Sequence, residues 1–529
     1  MSDAGSSNIT VTAKPAAPAP SMTTFRPQIS VLLRKNITRA NAGPNIAASQ
    51  RFQGAKGTID LTPYLGESGS VSVTRSTRQP AGQFSITIAD MEALADGQAD
   101  SYYGIAEPMD VIEIRMARDT SLYSGFTLNM PLIMRGFVSS VRRNTVMTDR
   151  GPRRTVTIAG EDYGKILQIL QIIYFPTAPD RQNLLTSFNL FTNYGVDTTI
   201  QDASAFIQQL LTNVVNGGSS STPGFLSRMQ ATAGGGTSPV LFIQSQLTSG
   251  TGSVAPFGTQ DSESMTIYDL MKKFGDVGPW NELFMTDTES GPVLVYRPNP
   301  FTDLSGNVIQ PLAEAPTPIT IYDREVVELS VERSDDNVAN YYWADAPQYA
   351  NLDATLLEAA AAGDTGDATY GDQNANPYQD TYPNSNPDLY GTRVMRAQSQ
   401  QGARIDGQQA DDYAQAQPSV VKDLAAKRLT IIVSNRDNIV LEHGSMTLRG
   451  NEAIRHGETV NLARGAGGLV ESYYAHTVTH RYMPMRVFLT DVQFDRGMGF
   501  VSRIQREGGS AGPYTSEMNL GGAYGASAG

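Results

Sequence analysis

Residues 70–89 read SVSVTRSTRQPAGQFSITIA, and this stretch decides the fold prediction for the N-terminal part of the chain. Val71 and Val73 alternate with polar residues, and after a break Phe84, Ile86 and Ile88 do the same. Side chains two positions apart on a strand share one face, so each run predicts a strand with one buried face.

The same period continues along the neighbouring sequence, and turn-forming residues at 66–69 and 149–152 separate the runs. Residues 26–160 are therefore predicted to form a first, mostly antiparallel β-barrel or sandwich. The apolar residues of the further runs are Ile112, Ile114, Met116, Val156 and Ile158.

Residues 161–318 are predicted to form a mixed α/β connecting segment, because the apolar period changes after Gly160. Within it, the Gly/Ser/Thr-rich residues 216–260 predict a loop. The other predicted elements are helices at 166–174 (ended by Pro176), 203–215 and 267–274 (capped by Ser262 or Ser264), and a β pair at 283–286 and 293–296.

Residues 319–505 are predicted to form a second β block, since alternation returns at Val327, Leu329 and Val331. A long insertion at 348–417 lacks apolar periodicity, and a helix is predicted from Pro418-Ser419. Residues 1–25 and 506–529 are predicted to be a flexible arm and a flexible tail. The two β blocks would suit copies of one barrel type, although no residue-level repeat identifies them as such.

The composition restricts the possible functions. Asp and Glu number 53 against 40 Lys and Arg, a net charge of −13 that argues against coating nucleic acid, because phosphate affinity comes from cations. With no cysteine, the chain has no disulfide, thiolate nucleophile or Cys-ligated metal. We predict no signal peptide, no membrane span and no cofactor, and therefore synthesis in a cytoplasm.

Common catalytic motifs for phosphate binding, serine nucleophiles and zinc are absent from the sequence. His476 and His480 would share one face of a predicted strand, and Asp491 or Asp495 would complete a metal site, but ordinary surface or interior histidines are the favoured interpretation. The carboxylate pairs are interpreted as charges at a helix start or in solvated loops rather than as acid/base pairs. These pairs are Glu161-Asp162, Asp335-Asp336 and Asp411-Asp412. No catalytic, cofactor or metal residue is predicted.

Two further clusters suggest contacts with other molecules. Arg142-Arg143 and Arg153-Arg154 flank the turn at Gly151, either as a solvated hairpin rim or as a positive patch for an acidic partner or DNA. Tyr341-Tyr342-Trp343 suits burial at an interface better than sugar stacking, because aromatic residues are enriched at interfaces.

Several short motifs in order resemble the baseplate hub proteins of contractile-tailed bacteriophages, a double-barrel family related to type VI secretion spike hub domains. DVIEI at 110–114, RGFV at 135–138 and VTIAGED at 156–162 resemble the family's first tube-like barrel. ELSVERS at 328–334 resembles the start of its second barrel, and residues 448–457 and 473–482 resemble its closing strands.

This resemblance implies two tube-like barrels per chain and three chains in a ring, so that six barrels match a sixfold tail tube on one side and a threefold spike on the other. The implied partners are further copies of the chain, the tail tube, the central spike, baseplate wedge proteins and a tape measure protein. DNA would pass through the channel without specific binding. The implied location is the virion baseplate, assembled in the bacterial cytoplasm.

Two other functions stay open at this point. A tail-tip enzyme that degrades peptidoglycan would use the scattered carboxylates and histidines. A receptor- or carbohydrate-binding tail protein would use Tyr-rich loops such as 370–390.

Overall fold

The computed structural model of the chain is mainly β, as predicted, and its largest element is a 13-stranded, predominantly antiparallel sheet. The predicted arm up to residue 24, the tail and Asp411-Asp412 lie outside the described residues, as do most of the insertion and most of the helix predicted from Pro418-Ser419. The structure describes residues 25–36, 58–66, 69–90, 93–95, 98–149, 151–173, 201–217, 224–232, 238–250, 253–254, 264–300, 318–336, 339, 341–345, 391–399, 427, 431, 442–464 and 469–495.

The first block places its strands in the spatial order β2-β1-β7-β8-β9-β4-β3. Alternate residues of these strands, such as Val31, Ile86 and Ile158, share one fully buried core, which confirms the period-two prediction. The elements are β1 (Gln28–Arg34), β2 (Thr58–Asp60), β3 (Ser70–Ser76), β4 (Gln83–Ala89), β5 (Ala93–Ala95), β6 (Gln98–Asp100), α1 (Tyr102–Ile105), β7 (Val111–Ala117), β8 (Leu132–Thr148) and β9 (Gly151–Asp162), with 3-10 turns at Thr62–Tyr64, Thr120–Tyr123 and Thr127–Asn129.

The middle segment packs helices and a hairpin around a second core, to which Val111 and Phe137 of the first block also contribute. Its elements are α2 (Gly164–Ile169), β10 (Gln171–Ile173), β11 (Gln201–Asp202), α3 (Ala203–Gln209, continued by a π-helix at Leu210–Gly217), α4 (Phe225–Thr232), β12 (Gln244–Leu247), β13 (Ser253–Val254), β14 (Ser264–Thr266), α5 (Ile267–Phe274), β15 (Asn281–Thr288) and β16 (Gly291–Pro298).

Three predictions for this segment were wrong in part. The helix predicted at 166–174 ends at Ile169, because the next residues form β10 and pair with β14. Helix α5 is capped by Thr266, whose hydroxyl accepts a 3.1 Å hydrogen bond from the Asp269 backbone, and not by Ser262 or Ser264. The predicted loop 216–260 contains α4 and β12, and β12 pairs in parallel with β16.

The second block orders its main strands β17-β22-β23-β24-β21-β18 around a core that includes Ile321, Met446 and Phe494. A separate parallel pair joins β19 to β20, so residues 394–398 of the predicted insertion form a strand. The elements are β17 (Pro318–Tyr322), a 3-10 turn (Asp323–Glu325), β18 (Val326–Arg333), β19 (Tyr341–Asp345), β20 (Val394–Gln398), β21 (Glu442–Arg449), β22 (Glu458–Arg464), β23 (Leu469–Met483) and β24 (Val487–Asp495).

The two blocks share one strand order. If the six main strands of each block are lettered A to F along the chain, both blocks read A-D-E-F-C-B across the sheet. The four ladders D–E, E–F, F–C and C–B are antiparallel in both blocks, whereas A–D is antiparallel in the first and parallel in the second. The strands A to F are β1, β3, β4, β7, β8 and β9 in the first block and β17, β18, β21, β22, β23 and β24 in the second.

The shared order also aligns individual residues. Val71 is opposite Ile86, which is opposite Ile158. In the second block Leu329 is opposite Met446, which is opposite Val492. Leu329 is therefore the equivalent of Val71. LSVERS at 329–334 aligns with VSVTRS at 71–76, and four of the six residues are identical. A repeat this short becomes visible only once the strand register is known.

Each sheet curls around its core. Strands β17 and β18 lie at opposite edges of six strands, and a flat sheet would hold them about 24 Å apart. Only the turn Asp323–Glu325 connects them, and four residue steps span at most about 14 Å. Across the opening of the first block, the hydroxyl of Tyr482 from β23 of the second block donates to the Pro27 carbonyl (3.2 Å). Among the described strands no ladder joins A to B, so the ladders are open where closed barrels were predicted.

The two blocks also pair directly, which was not predicted. Strand β23 is shared: its residues 469–475 pair with β22, and its residues 477–482 pair with β3 of the first block. Between these two stretches, from Ala475 to Thr477, a bulge shifts the register in which β23 pairs with β24. The first core consequently includes Tyr482 and Phe488 of the second block.

Candidate functional site

The predicted histidine pair does not form a metal site. His476 and His480 both lie on β23, but His480 is buried and its Nδ1 lies 3.0 Å from the Thr490 hydroxyl. Burial, reinforced by cationic Arg455, lowers the pKa of His480 to about 4. Asp491 is engaged by Arg481 and Asp495 by Arg78, so both carboxylates have partners other than the histidines. No cluster of three or more potential metal ligands occurs in the described part of the chain.

The described carboxylate pairs lie at different places in the structure. Glu161 and Asp162 end strand β9 just before α2, and Asp162 accepts a 2.8 Å hydrogen bond from the Gly164 backbone, which agrees with the helix-start interpretation for Asp162. Asp162 is buried, whereas Asp335 is exposed and pairs with Arg393 at 2.9 Å. The described carboxylate pairs therefore do not form a shared acid/base cleft.

The two basic pairs flank the turn at Gly151, as predicted. Arg142 is opposite Thr157 and Arg154 is opposite Thr145 on the β8–β9 hairpin, whose outer half is exposed. Arg143 also stacks over the Tyr103 ring at 5.5 Å. The aromatic cluster at 341–343 lies in β19, paired with β20, and the side chains of those three residues are not described.

A buried ionic cluster that was not predicted from the sequence joins the first block to the middle segment. Arg75 of β3 contacts Asp287 of the β15–β16 hairpin and lies 3.8 Å from Asp162 of β9. Asp287 also accepts a 2.8 Å hydrogen bond from the Arg135 backbone. Burial, reinforced by the neighbouring Asp287, raises the pKa of Asp162 to about 7, and Arg75 opposes that rise. We call Arg75, Asp162 and Asp287 the junction triad.

The sequence does contain a signal for the junction triad. Arg75 shares its strand face with Val71 and Val73, and Asp162 shares one with Val156 and Ile158. A charge on a face that alternation predicts to be buried needs an opposite charge nearby, since an unpaired buried charge is costly. Alternation alone could not name the partner, because Asp287 lies in another segment.

A second ionic contact fixes the hairpin turn. Arg115 of β7 binds Glu289 through two hydrogen bonds of 2.8 Å each, and its Nε donates to Glu113 at 2.7 Å. All of β7 is buried, because the middle segment covers the face that would otherwise meet solvent. Paired, planar contacts of this kind hold two elements in one orientation.

The loop 450–457 of the second block inserts between the other two parts. Arg455 donates to the carbonyls of Asp287 (2.8 Å) and Leu132 (3.1 Å). His456 lies 2.8 Å from the Met285 carbonyl, and burial lowers its pKa to about 3. Glu452 accepts from the Arg118 backbone at 3.0 Å. The loop therefore contacts the first block at Leu132 and Arg118 and the middle segment at Met285 and Asp287.

Cavities near these groups are too small or too open for a buried substrate. A space of about 20 Å³ lies among Arg75, Glu452 and His456, which is the room one water molecule needs. A shallow groove of about 330 Å³ over β3, β4, β8 and β9 is lined mainly by Ser, Thr and Gly, with Glu161 as its one ionisable side chain. The cluster can therefore hold elements together, but it offers no nucleophile with a base beside it.

Two strand edges expose apolar side chains and lack a neighbouring strand among the described residues. Beyond Val138, β8 pairs only with β9 among the described strands, and Val146 and Met147 are 50% and 79% exposed. Strand β18 pairs only with β21 among the described strands, and Val331 is 38% exposed. Unpaired edges with apolar side chains are the places where further strands add.

The described residues contain no helix that combines the length and apolar character needed to span a lipid bilayer.

The solved structures most similar to the chain include tail proteins. The tail protein from Neisseria meningitidis MC58 is 10% identical with a TM-score of 0.42, over 88% of this chain and 96% of that chain. The 43 kDa tail protein of prophage MuSo2 from Shewanella oneidensis is 10% identical with a TM-score of 0.39, over 89% and 96%. An E. coli type VI secretion component described as similar to T4 bacteriophage tail proteins is 7% identical with a TM-score of 0.35, over 80% and 72%.

No protein-family model matches the chain, and no curated protein is significantly similar to it in sequence. The case for a function therefore rests on the strand order and surfaces of the chain itself.

Proposed function

We propose that the chain is a structural subunit of a phage tail baseplate, in which three copies form a ring of six similar β modules. The observation that carries this proposal is the repeated strand order A-D-E-F-C-B within one chain. A chain with two matched modules lets a threefold assembly present a nearly sixfold surface. Closed rings of this kind satisfy head-to-tail interfaces without open-ended growth.

The role of such a ring is to join parts of different symmetry. One face would bind the sixfold tail tube and the other the threefold central spike, with baseplate wedge proteins outside and the tape measure protein along the axis. Each curled sheet would act as one tube-like barrel, with its opening filled by side chains and by neighbouring strands. We place the ring in the baseplate of a contractile tail, assembled in the bacterial cytoplasm, with a channel for DNA.

A non-enzymatic role is part of the proposal. Its support is that Arg75 and Arg115 are buried and bind carboxylates of the middle segment, while Arg455 donates to backbone carbonyls of the middle segment and the first block. A peptidoglycan-degrading or receptor-binding role would need a cleft with accessible polar groups. The groove over β3 and β4 offers only shallow contacts.

The proposal is tested by counting and locating the subunit. Native mass measurement of the full chain should give three copies, and images of purified tails should place that ring between tube and spike. A stable monomer that is absent from purified tails would contradict the proposal. Clearing of peptidoglycan in a zymogram, abolished by substitution of Glu161, would favour the enzyme instead.

A further inference from the structure

The ladder between β3 and β23 is a contact between strand B of one module and strand E of the other. Because both modules have the same strand order, the reciprocal contact between B of the second module and E of the first should exist as well. Those strands are β18 and the outer half of β8, and each has an edge with no strand partner among the described residues. One chain thus contains one complete B–E ladder. It also contains the two strand edges, on β18 and on the outer half of β8, that a second B–E ladder needs.

The burial of equivalent residues supports this comparison. Val73 on β3 is 1% exposed, whereas Val331, its equivalent on β18, is 38% exposed. His480 on β23 is 5% exposed, whereas its equivalent on β8, Arg143, is exposed. The equivalence of β8 and β23 follows from their bulges, since Ser140 and Thr477 each follow the bulge opposite strand F.

We propose that β18 of one copy pairs antiparallel with residues 140–145 of β8 in the next copy, in the register of β3 and β23. Within the chain, Thr74 is opposite Thr479 and Val73 is opposite His480. The same register places Glu332 opposite Arg142. It also places Val331 opposite Arg143 and Leu329 opposite Thr145. The partner is therefore a second copy of this chain, and the inference rests on the proposed ring.

Charge complementarity favours this partner. The β18 edge carries Glu328 and Glu332, and the β8 edge carries Arg142 and Arg143. Glu332 and Arg142 are both exposed, although Glu332 also lies 3.8 Å from His443. Opposite charges across a ladder are favourable, and like charges directly opposite are unfavourable. The corresponding pair within the chain is neutral, with the Thr74 and Thr479 hydroxyls 3.0 Å apart. The charged pair Glu332–Arg142 therefore favours pairing of β18 with β8 of another copy.

The repeated contact also limits the size of the assembly. A ring of three chains contains six B–E ladders, three within chains and three between them. Every β18 and β8 edge is then covered, which removes the exposed edges that otherwise promote aggregation. A head-to-tail contact that failed to close would give filaments.

Disulfide cross-linking of the full chain tests this inference, because the protein has no cysteine of its own. Directly opposite residues have Cα atoms about 4.5–5.5 Å apart, within the range a disulfide bridges. The variant Glu332→Cys with Arg142→Cys should give covalent dimers and trimers, and no larger species, on a non-reducing gel. Thr74→Cys with Thr479→Cys is the matched control within one chain and should add no mass.

The outcomes separate this inference from the proposed function. If native mass shows trimers but the double-cysteine variant stays uncrosslinked, the strand pairing is wrong and the trimer stands. If the shifted pair Val331→Cys with Arg142→Cys cross-links equally well, the register is wrong, because a shift of one residue moves a side chain to the other face. A monomer with no cross-link contradicts both, and species larger than trimers contradict the closed ring.

A charge exchange gives an independent test at the same two exposed positions. Arg142→Glu alone, or Glu332→Arg alone, should weaken the trimer at least about tenfold in its dissociation constant, because like charges then face each other at three contacts. The double exchange should restore the trimer. Equal weakening by the single and the double variants would overturn the proposed pairing.

Discussion

The side-chain hydroxyls of Thr74 and Thr479 lie 3.0 Å apart, although 405 positions separate the two residues in the sequence. They face each other on the ladder between β3 and β23, which is the one ladder that joins the two modules among the described strands. The modules are consequently two parts of one sheet and not separate domains joined by a linker. Changes near this ladder should therefore affect the stability of the whole chain.

Replacing Arg75 with Met should lower the free energy of unfolding by about 3–5 kcal/mol, because the two buried carboxylates of the junction triad lose their shared cation. Urea unfolding of the full chain measures the loss. Arg78→Ala is the matched control: Arg78 pairs with Asp495 but is 62% exposed, and exposed pairs contribute little. Equal effects of the two substitutions would contradict the assigned role of Arg75.

The stability of the chain should depend on the two buried histidines in mildly acidic solution. Their pKa values in the folded chain, about 3 for His456 and about 4 for His480, lie below the ordinary 6.5. The unfolded chain therefore binds more protons as the pH falls below 6.5, and each histidine reduces the free energy of unfolding by up to about 1.4 kcal/mol per pH unit. Asp162 acts in the opposite sense, since its raised pKa favours the folded chain below about 7.

His456→Gln and His480→Asn test this dependence, because each amide can replace one hydrogen-bonding ring nitrogen. The difference in free energy of unfolding between the original chain and each variant should decrease steadily from pH 7 to pH 5, as measured by urea unfolding at several pH values. Profiles that stay parallel over that interval would show that the buried histidines do not titrate as described.

Gly160→Ala should destabilise the first module by about 2 kcal/mol or more, since the added Cβ would overlap the Phe137 carbonyl and the Phe84 ring. Gly125→Ala is the control, because no atom lies within 4 Å of the position its Cβ would take. Thermal unfolding of both variants measures the contrast. A Gly160→Ala variant as stable as Gly125→Ala would mean that β8 and β9 separate more easily than their ladder indicates.

Glu289→Ala should cost about 2 kcal/mol, less than Arg75→Met, because it removes the two hydrogen bonds from Arg115 and one from the Leu132 backbone but leaves Arg115 its contact with Glu113. Hydrogen exchange should become faster in the β15–β16 hairpin and in neighbouring β7. Ser290→Ala in the same turn serves as the control. Unchanged exchange in Glu289→Ala would show that the hairpin is held by its apolar contacts alone.

Local periodicity predicted most strands correctly, and it failed where tertiary contacts decide. Ile173 belongs to a helical apolar pattern, but it pairs with Ser264 of a distant strand and is therefore extended. Thr266 caps α5 because Asp269 completes a capping box, and the nearby Ser262 and Ser264 lack an acidic residue placed to do the same at the start of α5.

The candidate interface was less predictable than the strands. The sequence shows Arg142 and Arg143 as a basic pair, but alternation does not indicate which strand lies beside β8 or β23. The match between residues 71–76 and 329–334 is too short to be identified without the ladders. Pairing between residues hundreds of positions apart depends on the packing of the whole chain, and no local pattern encodes it.

The most direct test of the account is a structure of the assembled full-length chain by electron cryomicroscopy. The account predicts three copies in a closed ring, six similar curled sheets around the axis, and continuous strand density from β18 of each copy to β8 of the next. A single module type per chain in the ring, or copies that touch through other surfaces with both edges exposed, would contradict it.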